Sequence, residues 1–247
     1  MKTLSTIALS DVQAVYSGPE GDLWELLMGE QIHIGGFQSS MELAAHAGIA
    51  AGMTGIDLCC CTGAGMRCLV HFCGVHQMTG VDATPRSVER GQQRCRDAGF
   101  SPAQIRFVLA DVCASGLPEA SADFIWGEDA WCYVVEKPTL IAEAARLVRS
   151  GGVIAFTDWV EGPTPLTAQE ADRFLRFMKF PSLADRDDYA ALLRQTGCTI
   201  LAADDTGRYA PYIDLYLQML DMQLQYDALR ILGGYPLKAG HHILLTT

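Results

Sequence analysis

Four acidic residues stand where consecutive apolar runs of the chain end. They are Asp57, Asp82, Asp111 and Glu128. If each run is a strand of one parallel sheet, the four carboxylates meet at the edge formed by the carboxyl ends of the strands, where open α/β folds bind ligands. Burying a carboxylate is costly unless a partner compensates its charge. The pattern therefore predicts one polar ligand shared by the four side chains.

The segment of residues 55–69, GIDLCCCTGAGMRCL, has the pattern of a strand, a turn of small residues and a helix. Small residues let a ligand approach the backbone, and the first turn of the helix offers unpaired N–H groups that suit a carboxylate. Asp57 can bind an ammonium group of the ligand or hold the turn by accepting backbone hydrogen bonds. A turn that only connects a strand to a helix explains the segment equally well.

The acidic residues after the next two runs suit a nucleoside. Asp82 follows Asp57 by 25 residues, a separation at which an acidic side chain reaches a ribose diol. A helix cap is the alternative role for Asp82. In the sequence Ala110-Asp111-Val112, the carboxylate can accept a hydrogen bond from an adenine amino group while the valine packs on the ring.

Aromatic and acidic side chains are mixed beyond the fourth and fifth apolar runs. Residues 128–133 read EDAWCY, and Asp158 and Trp159 follow the fifth run. Aromatic faces beside carboxylates hold alkylammonium groups through cation–π attraction and charge pairing. Packing of Trp131 and Tyr133 against a helix is an equally good interpretation.

The elements that must position these residues alternate between short apolar runs and amphipathic segments of helical length. This alternation is typical of a largely parallel sheet flanked by helices. The predicted strands cover residues 54–58, 77–82, 105–110, 124–126, 152–157 and 199–204, with a last strand at 242–246, and the predicted helices cover residues 66–73, 85–98, 138–148 and 187–195. Residues 10–52 and 209–232 fall outside the alternation, and we expect them to cover the carboxyl edge of the sheet.

The bulk composition predicts a folded protein and argues against several classes of partner. The 247 residues are 49% hydrophobic and 19% charged, which provides an ample core. A formal charge of −11 repels polyphosphate, so nucleic acid is not expected as a partner. The apolar stretches fall far short of the roughly 20 residues that cross a bilayer, and the N-terminus lacks the pattern of an export signal. We expect a cytoplasmic protein with no membrane partner, whose nine cysteines are free thiols.

Taken together, these features resemble the class I S-adenosylmethionine-dependent methyltransferases, over residues 55–158 and more loosely over the rest of the chain. The first turn of that family usually reads D-x-G-x-G-x-G, and here the matching residues are Asp57, Cys59, Cys61 and Gly63. Cysteine thus replaces glycine at two positions, and a positive φ at either would strain the backbone. The resemblance implies S-adenosyl-L-methionine as the cofactor and a Rossmann-like, seven-stranded, mostly parallel sheet with helices on both faces and helical cover from both termini.

The resemblance also implies roles for individual residues. Asp82 is expected to bind the ribose, Asp111 and Val112 to frame the adenine, and Glu128 to lie near the sulfonium. The full set of expected cofactor-binding residues is Asp57, Cys59, Gly63, Asp82, Ala83, Asp111, Val112 and Glu128. The expected organisation is a single domain of residues 1–247, with an N-terminal cap (1–52), a cofactor-binding half (53–158) and a substrate-side half (159–247).

Two segments resemble the glycine, sarcosine and dimethylglycine N-methyltransferase branch. One is GEQIHIGG at residues 29–36, and the other is Glu128-Asp129-Ala130, where relatives commonly carry Gln-Asp-Ala. An expected downstream histidine is Tyr133 here. The resemblance implies N-methylation of a small amine or amino acid, with Asp129 and Tyr133 orienting the acceptor. His33 is expected to touch cofactor or substrate, although a structural histidine is an equally natural interpretation.

Other functions stay open from the sequence. Methylation at oxygen, carbon or sulfur is one alternative, and the run Cys59-Cys60-Cys61 suggests a soft acceptor such as arsenite. A non-catalytic subunit that only binds the cofactor is another. Cys68, Cys73 and His76 match no common zinc spacing, so no metal is expected. A homodimer is conceivable because residues 209–232 carry several methionines and leucines.

Overall fold

The computed structural model describes residues 1–4 and 6–233, with side chains described up to residue 222. These residues divide into two compact units, one of residues 1–205 and one that starts at Thr206. The first unit contains all the strands of the described chain and eight helices. In the second unit, a helix covers Tyr209–Gly233. A helix in this stretch was predicted and is confirmed, whereas its role as cover stays a prediction.

A five-stranded parallel sheet forms the centre of the first unit. The strands of the unit are β1 (Lys2–Thr3), β2 (Thr54–Leu58), β3 (Gln77–Asp82), β4 (Ile105–Leu109), β5 (Ala122–Glu128), β6 (Val148–Thr157) and β7 (Ser182–Leu183). The sheet has the order β4-β3-β2-β5-β6, and β1 and β7 form a separate antiparallel pair. Chain order reverses at β2, because β3 and β4 extend to one side of it and β5 and β6 to the other. Such a reversal leaves a crevice at the carboxyl ends of the strands.

Helices cover both faces of the sheet. The helices of this unit are α1 (Leu9–Ser17), α2 (Pro19–Met28), α3 (Gly36–His46), α4 (Ala64–Phe72), α5 (Pro85–Asp97), α6 (Lys137–Leu147), α7 (Ala168–Met178) and α8 (Arg186–Gln195), with a short 3-10 turn at Trp131–Tyr133. The helix of the second unit is α9 (Tyr209–Gly233). Alternate strand residues point to opposite faces. On one face, Ile56 packs in a core with Leu140 of α6 and Leu193 of α8. On the other, Phe124 packs in a core with Leu69 of α4 and Ala44 of α3.

The N-terminal helices are attached to the sheet layer by ion pairs between α2 and α5. The pairs join Asp22 to Arg86 and Arg90, and Glu25 to Arg90 and Arg94; Glu30, just after α2, pairs with Arg67 and Arg94. Three arginines at a spacing of four residues lie on one face of a helix and can therefore meet one acidic surface. A hydrogen bond of 2.7 Å from Gln13 Nε2 to the carbonyl of Ala83 adds a contact from α1 to the end of β3.

The predicted α/β, Rossmann-like fold with a mostly parallel sheet is confirmed, but its count of seven strands is not. The strand predicted at residues 199–204 is wrong, because these residues are irregular and pair with no strand of the described chain. Ile200 packs against the core, but Leu201 is 83% exposed. A strand needs a neighbour for its backbone groups, and this segment has none among the described residues. The strand predicted at 242–246 lies outside the described residues.

Helix α7 was not predicted, although the sequence carried a signal for it. The Thr167 hydroxyl accepts a hydrogen bond from the backbone of Glu170, and the Glu170 carboxylate accepts one from the backbone of Thr167. This capping box is readable as T-x-x-E ahead of an amphipathic run. Among the described residues, no helix is long and apolar enough to cross a lipid bilayer.

Candidate active site

A cavity of about 230 Å³ lies at the carboxyl ends of β2, β3 and β5, where chain order reverses. Ten of the predicted site residues line it: His33, Asp57, Cys59, Asp82, Ala83, Asp111, Val112, Glu128, Asp129 and Tyr133. Gly63 is the predicted site residue that does not. The structure therefore brings the strand-end carboxylates together, as their positions in the sequence indicated.

The turn after β2 adopts a strained backbone. Cys59 has φ 69° and Cys61 has φ 47°, both in the left-handed region that favours glycine. The backbone N–H groups of Cys59 and Cys60 donate to the carbonyl of Val81 at 2.9 and 3.2 Å. These two bonds fix the turn to the end of β3. Cysteine thus occupies positions whose geometry suits the glycines of the family pattern.

Gly63 closes the same turn from behind the cavity. It has φ 72° at the N-cap of α4. A Cβ added there would lie 2.6 Å from the ring of Phe107 and 2.7 Å from Met66 Cε. Gly63 is therefore required by close packing between the turn, β4 and α4, and any contact with a cofactor stays a prediction.

Asp82 holds the cofactor-side turns together. Its Oδ2 accepts a hydrogen bond of 2.9 Å from the backbone N–H of Cys61, and its Oδ1 accepts one of 2.8 Å from that of Thr84. Burial raises the pKa of Asp82, and these two hydrogen bonds oppose the rise. Each oxygen keeps a lone pair for a further donor. The sequence left helix capping and ligand binding as alternative roles for Asp82, and this geometry allows both.

The cavity is strongly acidic. Asp57 is 5% exposed, and burial, followed by the charges of Glu128 and Asp82, raises its pKa well above the ordinary value. Within the described chain, no lysine or arginine lines the cavity. Buried carboxylates without a compensating cation are unfavourable. The site therefore suits a ligand that brings positive charge and hydrogen-bond donors.

Glu128 lies in a buried network with His33. One carboxylate oxygen accepts hydrogen bonds of 3.0 Å from both Ser40 Oγ and Trp126 Nε1. The other lies 3.1 Å from His33 Nε2 but is not aligned for a hydrogen bond with it. His33 Nε2 is also 2.9 Å from the carbonyl of Gly36, which is its better acceptor. Burial raises the pKa of Glu128, and the neighbouring His33 opposes the rise.

The part of the cavity around Asp111 is more open. Asp111 is exposed, and its Oδ1 accepts a hydrogen bond of 2.9 Å from the backbone N–H of Cys113. Val112 is buried beside it. The opposite wall comes from α1, through Leu9, Val12 and Tyr16. The sequence analysis missed these three residues individually, although it predicted that the N-terminal segment covers the site.

A second, smaller pocket of about 20 Å³ shares five wall residues with the main cavity: Tyr16, Ile32, His33, Asp129 and Tyr133. We call it the aromatic pocket, because Trp24 and Trp159 complete its wall. The rings of Tyr16 and Tyr133 meet edge to face, with centroids 5.5 Å apart. Burial raises the pKa of both phenols, so they stay protonated at neutral pH.

Asp129 is fixed by the backbone on both sides. It has φ 50°, and its Oδ2 accepts a hydrogen bond of 2.8 Å from the N–H of Ile34. Its own N–H donates to the carbonyl of Thr157 at 2.9 Å. This left-handed residue turns the chain at the end of β5, which brings the carboxylate to the wall of both pockets.

Trp131 and Asp158 have structural surroundings. Trp131 is fully buried, and its ring stacks on that of Phe156 with centroids 4.2 Å apart. Its Nε1 donates a hydrogen bond of 3.2 Å to the carbonyl of Leu58. Asp158 accepts hydrogen bonds from the backbone of Cys132 and from the Tyr189 hydroxyl. Burial raises the pKa of Asp158 from 3.8 to about 6. Of the two aromatic residues that follow β5, Tyr133 reaches the cavity, whereas Trp131 packs in the core.

Lys137 was also missed by the sequence analysis. It is 1% exposed, and its three N–H donors are shared among four acceptors within hydrogen-bond distance of Nζ: the carbonyls of Cys132 and Val134 and the carbonyl and hydroxyl of Ser182. The ammonium group thus ties the 3-10 turn that carries Tyr133 to strand β7. Nothing in the local sequence distinguishes this lysine from an exposed one.

The thiols near the cavity are protonated at neutral pH. Burial raises the pKa of Cys61 to about 12 and, in the same direction, the pKa values of Cys59 and Cys60. Thiolates rather than thiols bind soft metals and metalloids. Among the described residues, no group of three or more His, Cys, Asp or Glu side chains is arranged to hold a metal ion.

The fold and cavity define an α/β protein with an acidic nucleotide-type site at its topological switch point, and comparison with known proteins identifies the class. Residues 56–156 match the family described as Methyltransferase domain. With this fold, the predicted class I S-adenosylmethionine-dependent methyltransferase is confirmed for this part of the chain. S-adenosylmethionine is the cofactor of this class, and its cationic sulfonium and ammonium groups fit the acidic cavity.

Individual relatives are distant. The chain is 28% identical over 134 residues to 27-O-demethylrifamycin SV methyltransferase of Amycolatopsis mediterranei, which covers 53% of this chain and 49% of that protein. It spans between about half and just under two thirds of the length of the first curated relatives it matches.

Two solved structures share the fold. A protein from Galdieria sulphuraria, provisionally assigned as a sarcosine dimethylglycine methyltransferase, has a TM-score of 0.68 at 22% identity and covers 75% of this chain and 76% of its own. Phosphoethanolamine N-methyltransferase 2 of Haemonchus contortus, in complex with S-adenosyl-L-methionine, has a TM-score of 0.76 at 16% identity over 93% of this chain and 53% of its own. At these identities the likeness concerns the fold alone.

Proposed function

We propose that this protein transfers the methyl group of S-adenosylmethionine to the nitrogen of a small amine or amino acid. The observation that carries the proposal is the pair of adjoining pockets, one acidic and suited to the cofactor, the other aromatic with the Asp129 carboxylate in its wall. The names of two structural neighbours point to nitrogen acceptors, whereas the first curated relative is named for methylation at oxygen.

The acidic cavity supports the cofactor part of the proposal. Among the described residues, neither lysine nor arginine lines the cavity to pair with Asp57 or Glu128, and one oxygen of Glu128 accepts no hydrogen bond. An ammonium or sulfonium group compensates such charges. We assign Asp82 to the ribose, with Asp111 and Val112 beside the adenine, and the N-terminus of α4 to the carboxylate of the methionine moiety.

The shared wall of the two pockets supports transfer to an amine. When bound, S-adenosylmethionine supplies a methyl group on positively charged sulfur, which needs positioning and exclusion of water more than activation. The new bond joins the acceptor nitrogen to the methyl carbon, the carbon–sulfur bond breaks with its electron pair on sulfur, and the amine proton leaves to solvent. In this proposal Asp129 and Tyr133 orient the amine, and His33, in the wall shared by both pockets, contacts the cofactor or the amine.

The test is turnover with radiolabelled cofactor and a panel of small amines, with oxygen, carbon and sulfur acceptors run in parallel. Label in an amine product supports the proposal. Label only in the other products rejects nitrogen as the acceptor atom and favours the alternative O-, C- or S-methyltransferase. Binding of the cofactor without any turnover favours the alternative of a non-catalytic subunit that only binds the cofactor.

Matched variants sharpen this test. In Asp129→Asn, which keeps an oxygen to accept from Ile34, we expect the KM for the amine to rise about tenfold, the effect of losing about 1.4 kcal/mol of charge pairing. Cofactor affinity should be unchanged. Asp172→Asn, on an exposed turn of α7, is the control and should change neither. An unchanged KM in Asp129→Asn removes the proposed role of this residue.

We further propose a cytoplasmic protein with no nucleic-acid or membrane partner, since its formal charge is −11. A homodimer is the assembly to test by sedimentation.

A further inference from the structure

We propose that the methyl acceptor is a short-chain amine without a carboxylate or phosphate group. This inference rests on the proposed function and narrows it, because glycine-type and phosphorylated amines are excluded. The chemistry of the aromatic pocket and of the cavity beside it carries the argument.

The aromatic pocket can hold a cationic or neutral amine but has no partner for an anion. Its wall combines the rings of Tyr16, Trp24, Tyr133 and Trp159 with the carboxylate of Asp129. Ring faces attract cations and repel anions, and a carboxylate adds to both effects. In the described part of the chain, neither this pocket nor the main cavity is lined by a lysine or an arginine.

The nearby groups that could neutralise an anion are already engaged. His33 Nε2 lies 2.9 Å from the carbonyl of Gly36 and 3.1 Å from Glu128, so its ring N–H is directed to the protein. Lys137 is buried, and its ammonium group donates to three backbone carbonyls and the Ser182 hydroxyl. The N–H groups at the start of α4 are assigned to the carboxylate of the methionine moiety in the proposed function. A carboxylate or phosphate on the acceptor would therefore be desolvated without a counter-charge.

The volume of the aromatic pocket limits the size of the acceptor. At about 20 Å³, it has room for little more than one or two small groups, since one water needs roughly 10–15 Å³ on this measure. A methyl or ethyl substituent on nitrogen fits this space, and a long chain does not.

The test uses amines that differ only in the anionic group. The pairs are methylamine and glycine, dimethylamine and sarcosine, and ethanolamine and phosphoethanolamine, each assayed for kcat/KM with S-adenosylmethionine. For each pair, we expect the amine without the anionic group to have the higher kcat/KM, by at least about 100-fold. This ratio corresponds to about 2.8 kcal/mol at 1.4 kcal/mol per tenfold. Calorimetry of the same amines with protein saturated in S-adenosylhomocysteine gives a second readout and should show the same preference in Kd.

A designed cation provides a matched pair of variants. Met28, a half-buried wall residue of the aromatic pocket, is changed to lysine or, as the control, to leucine. In Met28→Lys, we expect the kcat/KM ratios of methylamine to glycine and of ethanolamine to phosphoethanolamine to fall at least about tenfold. In Met28→Leu, these ratios should equal those of the wild type. A wild-type enzyme that methylates glycine, sarcosine or phosphoethanolamine as well as their partners overturns the inference and leaves N-methylation intact. No methylation or binding of any amine overturns the proposed function, and this inference with it.

Discussion

Substitution by glycine should change the unfolding free energy by different amounts at the three consecutive cysteines of the turn after β2. Cys59 and Cys61 have φ of 69° and 47°, whereas Cys60 is not in the left-handed region. A side chain at positive φ costs about 1–2 kcal/mol, and glycine costs about 0.5–1 kcal/mol through the entropy of the unfolded chain. Cys61→Gly therefore relieves strain, but it adds the entropy cost and loses one half-buried thiol, so that these contributions nearly cancel. Its unfolding free energy should lie within about 1 kcal/mol of the wild-type value.

Cys60→Gly is the matched control, with no strain to relieve. Its thiol is 6% exposed and packs in the core of α4 and β3, so the change removes buried apolar surface and also adds the entropy cost. We expect a loss of about 2–3 kcal/mol. Urea unfolding followed by tryptophan fluorescence, at equal m-values, measures all three variants. If Cys59→Gly and Cys61→Gly lose as much as Cys60→Gly, the cysteines carry no backbone strain and the reasoning fails.

Three further predictions concern charged side chains. The pKa of Asp158 is about 6 in the folded protein against 3.8, so the native state binds more protons and its stability falls as pH rises through this window. At 1.36 kcal/mol per pH unit, the unfolding free energy falls by up to about 3 kcal/mol between pH 3.8 and about 6. The unfolding free energy of Asp158→Asn should therefore exceed that of the wild type by an amount that grows from pH 4 to 6. A difference that stays constant over this range in urea unfolding contradicts the prediction. Lys137→Met leaves four acceptors unpaired and should lower the unfolding free energy by about 3 kcal/mol, which an unchanged urea midpoint would disprove. Asp82→Ala and Asp111→Ala should each weaken calorimetric binding of S-adenosylhomocysteine at least about tenfold, and only Asp82→Ala should also lose stability, because Asp82 holds Cys61 and Thr84; unchanged affinity in both removes the cofactor assignment.

The strand-end carboxylates were predictable because two local rules suffice for them. Apolar runs of three to six residues predict the strands, and parallel pairing predicts their common edge. Asp57, Asp82 and Glu128 could be assigned to one site without knowing any long-range contact. The same rules failed at residues 199–204, since an apolar run becomes a strand only where a neighbouring strand and a face to bury exist. Leu201 has no such face, being 83% exposed.

The parts of the site that depend on tertiary docking could not be predicted from local pattern. Tyr16 lies on α1, which contacts the end of β3 through Gln13, while α2 is held to α5 by ion pairs. No periodicity shows which surface a terminal helix meets. The spacing of Arg86, Arg90 and Arg94 was the available signal, because it indicates an acidic partner on one side of α5. Lys137 gave no signal, since its burial follows from the position of Ser182, far away in the chain.

These features make ligand binding and folding dependent on each other. Asp57, Asp82 and Glu128 are buried with raised pKa values, and the turn between them contains two cysteines in left-handed geometry. All of these destabilise the protein without a ligand, and a ligand that brings positive charge and donors to the cavity reverses the electrostatic part. Binding to the native state alone stabilises by RT ln(1 + [L]/Kd), about 2.7 kcal/mol at a hundredfold excess over Kd. In the described chain the cavity is lined by several carboxylates and by neither lysine nor arginine, so a ligand that supplies positive charge completes its electrostatic balance.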